Sequence, residues 1–167
     1  SSATVYEQSS ISLLKEDNYL NPTNPYGKTK LQVEKILANY SLKKTNRFST
    51  IILRYFNPIG AHFSGLIGED SKTKSTNLLP LLMEATSNLN TLEIYGSDWP
   101  TKDGTCIRDF IHVMDLAEAH LQSLIHIENK QKYYLVLNVG TGKGTTVLEL
   151  IKIFEEANNC KINYKFS

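Results

Sequence analysis

Cysteine is scarce in this sequence, which limits the kinds of site that the chain can form. The 167 residues include two cysteines, Cys106 and Cys160, which form no Cys-x-x-Cys pair and have no histidine at ligand spacing. A disulfide framework or a zinc site is therefore not expected, and no metal site is predicted. The default interpretation is a protein of a reducing compartment.

An excess of one charge and a long apolar run are also missing. Lysine and arginine together number 18 and aspartate and glutamate 17, so the net charge is +1. Without a basic block, nucleic acid is not expected as a main partner. The longest apolar segments, such as residues 51–56 and 133–139, are only long enough for strands, so no membrane-spanning helix is predicted.

Both ends of the sequence lack features that a whole chain usually has. It begins with "SSATVY", without an initiator methionine, a positively charged segment or an apolar segment, so the beginning is not a signal peptide. This beginning is typical of the end of a buried strand, and the last residues, "INYKFS", also have a strand pattern. We therefore expect a fragment of a longer protein.

Short apolar segments alternate with segments of helical periodicity. Residues 48–56 are almost wholly apolar and rich in β-branched side chains, as expected for a strand covered on both faces of a parallel sheet. Before them, Pro25 suits the first turn of a helix with apolar residues at helical spacing. Further helices are predicted over residues 77–88, after Asp115 and after Thr145 or Thr146; strands over 91–96, 107–113 and 133–140; and loops over 57–70 and 97–105. This alternation predicts an α/β fold built around a parallel sheet.

Two tyrosines are followed four residues later by a lysine: Tyr26 by Lys30, and Tyr40 by Lys44. With nine tyrosines in 167 residues, chance alone gives about one such pair, so the spacing decides nothing. One interpretation is that the tyrosine is a base and that the lysine is the cation that tunes it. A phenol has a reference pKa of about 10, and a nearby cation favours the phenolate. The other is a packed ring beside a surface lysine. Tyr40 and Lys44 receive the second interpretation, a core tyrosine with an exposed lysine.

A glycine-rich turn, "GTGKG" at residues 140–144, follows a predicted strand. Its spacing could be mistaken for the fingerprint of a dinucleotide-binding loop. No helix with an acidic ribose partner follows at the proper distance, which disfavours this interpretation without removing it.

Seven stretches of the sequence occur in the order and spacing of a known family. The sequence resembles the UDP-glucose 4-epimerase family, within the extended short-chain dehydrogenases/reductases, over essentially its whole length. The stretches are "SSATVY", "NPYGKTK", "LRYFNPIGAHFSGLIGED", "NLLP", "IYGSD", "DGTCIRDFIHVMDLAEAH" and "LNVGTGKGTTVLELI". The resemblance implies an α/β fold with a partial Rossmann-like parallel sheet and a smaller α/β substrate-binding subdomain.

The resemblance also implies a domain division. Residues 1–57 would be the C-terminal part of the NAD-binding domain, 58–105 a substrate-binding region, 106–140 a segment returning to the NAD domain, and 141–167 the start of a C-terminal substrate portion. The family's first strand, phosphate-binding loop and helix would precede this sequence. The glycines at 140–144 would then lie away from the pyrophosphate.

The activity implied by the resemblance is epimerisation at C4 of a UDP-hexose, converting UDP-galactose to UDP-glucose in galactose metabolism. NAD would hold a hydride that leaves the sugar carbon and returns to the opposite face. Tyr26 would be the general base, Lys30 would also hold the nicotinamide ribose, and Ser2 would share the proton. The implied cofactor-binding residues are Ser1, Tyr26, Lys30, Tyr55 and Phe56, and the implied substrate-binding residues are Ser2, Thr4, Asn57, Asn77, Leu78, Tyr95 and Arg108.

Several of these residues also have a simpler interpretation, and Ser2 could be a strand-end serine that is satisfied by backbone. Asn57 could merely end a strand, Arg108 could pair with a neighbouring aspartate, and Tyr95 could be a core residue. His112 and Asp115 are interpreted as structural, a hydrogen-bonded core histidine and a helix cap.

The sequence also departs from the family. Glu7 stands where the family usually has glycine, and residues 71–76 are more polar than usual. The alternatives are therefore another nucleotide-sugar epimerase or reductase of the same family, or a fragment that is inactive by itself. By resemblance, the full-length protein would be a cytoplasmic homodimer that binds a UDP-sugar and has no nucleic acid or membrane partner.

Overall fold

The computed structural model describes residues 1–7, 13–43, 48–69, 76–88 and 90–167. Lys44 and residues 71–75, which entered the sequence interpretation, lie outside the described residues. The chain divides into two compact units. Unit 1 comprises Ser1–Pro58 and Ile111–Gly142, and unit 2 comprises Ile59–Phe110 and Lys143–Ser167. Among the described helices, none combines the length and the apolar character needed to cross a membrane.

Helices and strands alternate along the described chain, which confirms the predicted α/β class. The elements are a 3-10 turn Ala3–Val5, α1 Pro25–Ser41, β1 Thr50–Tyr55, β2 Asn57–Ile59, α2 Leu78–Asn88, β3 Leu92–Ile94, β4 Ile107–His112, α3 Val113–Ile127, β5 Tyr134–Val139, β6 Gly144–Thr146, α4 Val147–Asn158 and β7 Tyr164–Phe166. The strands predicted around β1, β3, β4 and β5 are confirmed with shorter bounds, and β2 is a strand within the predicted loop 57–70.

Unit 1 is built on two parallel strands. β1 and β5 pair in register from Thr50 opposite Tyr134 to Tyr55 opposite Val139. Ser2 forms a parallel bridge with Tyr55, so the first residues continue the same sheet before the 3-10 turn begins. The core between the strands and α3 contains Leu53, Ile111, Leu116 and Val139. Parallel pairing brings the carboxyl ends of these strands to one edge of the sheet, where side chains of a site can meet.

Unit 2 has a parallel pair, β3 with β7, and an antiparallel pair, β4 with β6. Its core is formed by side chains of α2, β3 and α4, together with Ile162: Leu82, Ala85, Leu92, Ile94, Leu150, Ile151 and Ile162. Thr146 caps α4, accepting a hydrogen bond from the Glu149 amide while the Glu149 carboxylate accepts one from the Thr146 amide. The predicted start of this helix is confirmed.

The dinucleotide interpretation of residues 140–144 is wrong. Gly144 begins β6 and lies opposite Asp109 of β4, so a strand separates the glycine-rich turn from the first residue of α4. A phosphate-binding loop must lead straight into a helix N-terminus, because the free amides there bind the anion.

Three structural assignments also need correction. His112 is exposed and not in the core; it caps α3 through Nδ1, which accepts a hydrogen bond from the Met114 amide at 3.2 Å. Asp115 therefore lies in the first turn of α3 and does not cap it. Tyr40 is 51% exposed and stacks on Phe48 with ring centroids 5.4 Å apart, so it is not a core residue.

Candidate active site

The first two turns of α1 present Tyr26 and Lys30 together. The Asn24 side chain accepts a hydrogen bond from the Gly27 amide at 2.7 Å, and Pro25 occupies the first helical position. This cap fixes the start of the helix, so the residue after the proline stands at its open end. Tyr26 is 52% exposed, and Lys30 Nζ lies 5.1 Å from the centroid of its ring. The phenol is therefore accessible, and the lysine ammonium makes a cation–π contact with its ring.

Gly27 lets α1 approach the 3-10 turn at the start of the chain. A Cβ atom at this position would lie 2.4 Å from the Thr4 carbonyl oxygen and 2.8 Å from the Pro22 Cβ. The glycine is buried, and the residue before it is Tyr26. The close approach therefore holds Tyr26 beside the turn that carries Ser2 and Thr4.

We expect Gly27→Ala to destabilise the full-length protein by about 1–3 kcal/mol, since backbone or a proline ring must move to admit the methyl group. Urea unfolding at neutral pH measures the change. Gly68→Ala is the matched control, because its added Cβ would meet only the Ala61 methyl, at 3.3 Å. Equal stabilities of the two variants would contradict the close packing of α1 on the turn.

Ser2 is held at the end of the sheet with its hydroxyl oriented by Thr4. It is 7% exposed, and its Oγ accepts hydrogen bonds from the Thr4 amide at 3.3 Å and from Thr4 Oγ1 at 3.1 Å. Because Ser2 Oγ is the acceptor in both contacts, its own O–H can donate to a further oxygen. This is the geometry that a proton-sharing hydroxyl requires.

The carboxyl end of β1 supplies the neighbouring aromatic and amide side chains. The Phe56 amide donates to the Val139 carbonyl at 3.1 Å, which continues the sheet one residue beyond β1. Tyr55 is half-buried, with its ring 6.2 Å from that of His120, while Asn57 is exposed. Ser2 bridges Tyr55, so the structure places Ser1, Ser2, Tyr55 and Phe56 at the same edge of unit 1.

A buried ion pair that the sequence analysis missed joins α1 to β1. Arg54 donates to the Glu34 carboxylate from Nε at 3.0 and 3.3 Å and from Nη2 at 2.7 Å, and the two side chains are 4% and 5% exposed. Arg54 Nη1 donates to the Tyr6 hydroxyl at 2.9 Å and to the Glu16 carbonyl at 3.0 Å. Ser1 Oγ donates to Glu34 at 2.5 Å.

This ion pair determines the charge state of Glu34. Burial by itself raises the pKa of the Glu34 carboxyl, but the hydrogen bonds from Arg54 and Ser1 hold this pKa below its usual value. Glu34 is thus ionised at neutral pH. Two sequence signals could have revealed the pair: Arg54 stands alone among apolar residues of β1, and Glu34 follows Tyr26 and Lys30 at four-residue steps.

Unit 2 carries the remaining substrate-binding candidates. Asn77 immediately precedes α2, which begins at Leu78, and its amide nitrogen donates to Glu69 at 2.8 Å. Tyr95 follows β3 and is 74% exposed, so the alternative of a core tyrosine is wrong. Arg108 is exposed on β4, and its Nη1 donates to the Ile107 carbonyl at 2.9 Å.

A family model and curated relatives match this chain. The model described as the NAD dependent epimerase/dehydratase family matches residues 1–140. The UDP-glucose 4-epimerase of Haemophilus influenzae is 49% identical over 167 residues, which is 99% of this chain and 49% of that protein. The UDP-glucose 4-epimerase of Drosophila melanogaster is 45% identical over 98% of this chain and 47% of that protein. The chain spans about half the length of the curated relatives it matches.

Solved structures share the fold over the whole chain. A UDP-glucose 4-epimerase from Stenotrophomonas maltophila with bound NAD and formylated UDP-arabinopyranose has a TM-score of 0.94 and 39% identity, covering 100% of this chain and 49% of that one. The Bifidobacterium longum enzyme in complex with NAD+ and UDP has a TM-score of 0.91 and 43% identity, covering 100% and 50%. The predicted partial Rossmann-like fold is confirmed, and the chain belongs to the NAD dependent epimerase/dehydratase family.

Proposed function

We propose that the full-length protein is an NAD-dependent UDP-glucose 4-epimerase that interconverts UDP-galactose and UDP-glucose. The observation that carries this proposal is the arrangement of Tyr26 and Lys30 at the open end of α1, packed through Gly27 against the turn that carries Ser2 and Thr4. Relatives that bear this enzyme's name match nearly all of the chain and support the choice of reaction.

The residues of unit 1 fit the nicotinamide end of NAD. Ser1, Lys30 and Tyr55 line one open groove of about 570 Å³. Hydroxyl groups and an ammonium group suit ribose hydroxyls, and the aromatic Phe56 at the end of β1 suits a planar ring. Solved structures of relatives contain NAD, which supports this assignment. Bound NAD would supply the hydride acceptor that epimerisation requires.

In the proposed mechanism, Tyr26 Oη removes the proton from the sugar 4-hydroxyl. The Lys30 ammonium stabilises the phenolate and holds the ribose. Ser2 Oγ, oriented by Thr4, donates its hydrogen to the same sugar oxygen and thereby positions it for the transfer. Tyr26 returns the proton to this oxygen when the alcohol is restored, and bound NAD would supply the hydride chemistry that inverts C4.

In this proposal, exposed groups of unit 2 bind the nucleotide. The backbone amides at the start of α2, near Asn77 and Leu78, are suited to a phosphate. The Arg108 guanidinium can fork across two diphosphate oxygens, and the Tyr95 ring offers a face on which uracil can stack. Asn57 would hydrogen-bond the sugar. By this proposal residues 1–57 and 106–140 serve the cofactor, and residues 58–105 and 141–167 serve the substrate.

The deciding experiment is incubation of the full-length protein with NAD and single UDP-sugars, with the products identified by NMR. We expect UDP-galactose and UDP-glucose to interconvert to one equilibrium mixture from either side. UDP-N-acetylglucosamine and UDP-xylose are the comparison substrates. If one of these is epimerised and UDP-galactose is not, or if a dehydrated product forms, the assignment is wrong.

We further propose that the full-length protein is a cytoplasmic homodimer. Exposed apolar side chains on one side of α1, Val33, Ile36 and Tyr40, support association of two copies through this helix. The two free cysteines are compatible with a reducing compartment. A monomer in light scattering, or recovery outside the cytoplasmic fraction, would contradict these assignments.

A further inference from the structure

Three ionisable residues form one row along α1. Tyr26, Lys30 and Glu34 are spaced four residues apart, so each side chain lies one turn from the next. A lysine and a glutamate at this spacing ordinarily attract one another and form an ion pair. In that pair the carboxylate would neutralise the cation that the proposed base requires.

The structure shows a different pairing. Glu34 points into the unit, where Arg54 binds both of its oxygens at 2.7–3.3 Å, and each side chain is at most 5% exposed. Lys30 instead lies over the Tyr26 ring, 5.1 Å from its centroid. Among the described residues, the ion pairs include none between Lys30 and Glu34.

We propose that Arg54 is a positioning residue that holds the Glu34 carboxylate away from Lys30 and so keeps the full lysine charge acting on Tyr26. The inference rests on the proposed role of Tyr26 as general base. Arg54 suits this task because its fork binds the carboxylate at two points and remains charged at every working pH. Its remaining donors, to Tyr6 and Glu16, fix the fork in place.

The other ionisable groups around the row are limited in number. Among the described residues, those that face Glu34 and Lys30 from the elements packed against α1 are Arg54 and Tyr55 of β1, Tyr6 of the N-terminal segment, Tyr134 of β5 and His120 of α3. In the described part of the chain, the hydrogen bonds of Arg54 reach one carboxylate, that of Glu34, because Glu16 contacts Arg54 through its carbonyl and its own carboxylate accepts from the Asn138 amide. The pairing of Glu34 therefore decides whether a negative charge opposes Lys30.

The test is the pH dependence of kcat in the full-length protein carrying Arg54→Gln. This change leaves a buried carboxylate with Lys30 one turn away on the same helix. We expect the ascending limb of the kcat–pH profile, where activity rises with pH, to move to higher pH by about one pH unit. If Arg54→Gln does not fold, Arg54→Lys replaces it; a single point of contact should then give a smaller shift in the same direction.

Glu34→Gln and the double variant Arg54→Gln/Glu34→Gln are the controls. Glu34→Gln breaks the same ion pair without freeing a carboxylate, so the limb must not move upward. The double variant must return the limb to its wild-type position. An upward shift in Glu34→Gln, no shift in Arg54→Gln, or a shift that persists in the double variant would overturn the proposal.

NMR titration of the Tyr26 ring provides a second measurement that needs no turnover. The signal is identified by its loss in Tyr26→Phe, and we expect its titration to move with the kinetic limb across the same variants. If the ring titration shifts and recovers but the protein does not epimerise UDP-sugars, the charge arrangement stands and the proposed function fails. If turnover is normal but neither the kinetic limb nor the ring titration shifts, the proposed function stands and the proposed role of Arg54 fails.

Discussion

Full-length protein carrying Tyr26→Phe is expected to lose between about a hundredfold and ten-thousandfold of its kcat on UDP-galactose, the range that a positioned general base contributes. Phenylalanine keeps the ring over which Lys30 lies, but it removes the oxygen that takes the proton. Because the side chain is half-exposed at a helix start, the change should leave folding intact. Steady-state kinetics with saturating NAD measure the loss, and circular dichroism checks the fold.

Tyr40→Phe is the matched control for this experiment. Tyr40 lies on the same helix, is equally exposed and also begins a Tyr-x-x-x-Lys pattern. Its ring stacks on Phe48, and no role in the site follows from that contact. Its kcat should stay within about twofold of wild type. Retention of more than a tenth of the wild-type kcat by Tyr26→Phe would exclude a general base at this position.

The local features of the fold were predictable because short-range chemistry fixes them. Asn24 and Pro25 indicate the start of α1, and Thr146 followed by Glu149 indicates the start of α4. In both cases the cap is formed by side chains within three residues of the amides that they satisfy. The apolar runs of β1 and β5 likewise predict strands, since strands buried on both faces lose the alternation of apolar and polar residues.

Features that depend on distant partners were not predictable in the same way. His112 caps α3 because β4 ends directly before the helix, so the cap falls three residues earlier than the aspartate that the sequence suggested. On α1 the buried positions are Gly27, Glu34 and Ser41, seven residues apart, and they include no large apolar side chain. Burial of a polar face can be predicted only if its hydrogen-bonding partner is known, and here that partner lies on another element.

Replacing Arg54 alone by leucine is expected to lower the free energy of unfolding of the full-length protein by about 3–5 kcal/mol. Of the donors to the Glu34 carboxylate among the described residues, leucine leaves Ser1 Oγ alone, so a nearly unpaired charge remains in the interior. Glu34→Leu should cost a similar amount, since it leaves the guanidinium unpaired instead. Urea unfolding at neutral pH measures both variants.

The double variant Arg54→Leu/Glu34→Leu separates the cost of a lone charge from the value of the pair. Removing both partners leaves no buried ion, so most of the lost stability should return, to within about 1–2 kcal/mol of wild type. A double variant as unstable as either single one would mean that packing around Tyr6 and Glu16, rather than charge, makes the site sensitive.

The pH dependence of stability provides an independent check on the same pair. Burial opposes ionisation of Glu34, but its hydrogen bonds with Arg54 and Ser1 prevail and hold the folded-state pKa of the carboxyl below its usual value. A lowered pKa adds stability above the unfolded value of about 4.3, and this stability is lost as the pH falls through that value toward the folded one. Wild-type protein should therefore lose more unfolding free energy between pH 7 and acid than the double leucine variant. Parallel pH profiles of the two proteins would show that Glu34 is not stabilised as a carboxylate in the fold.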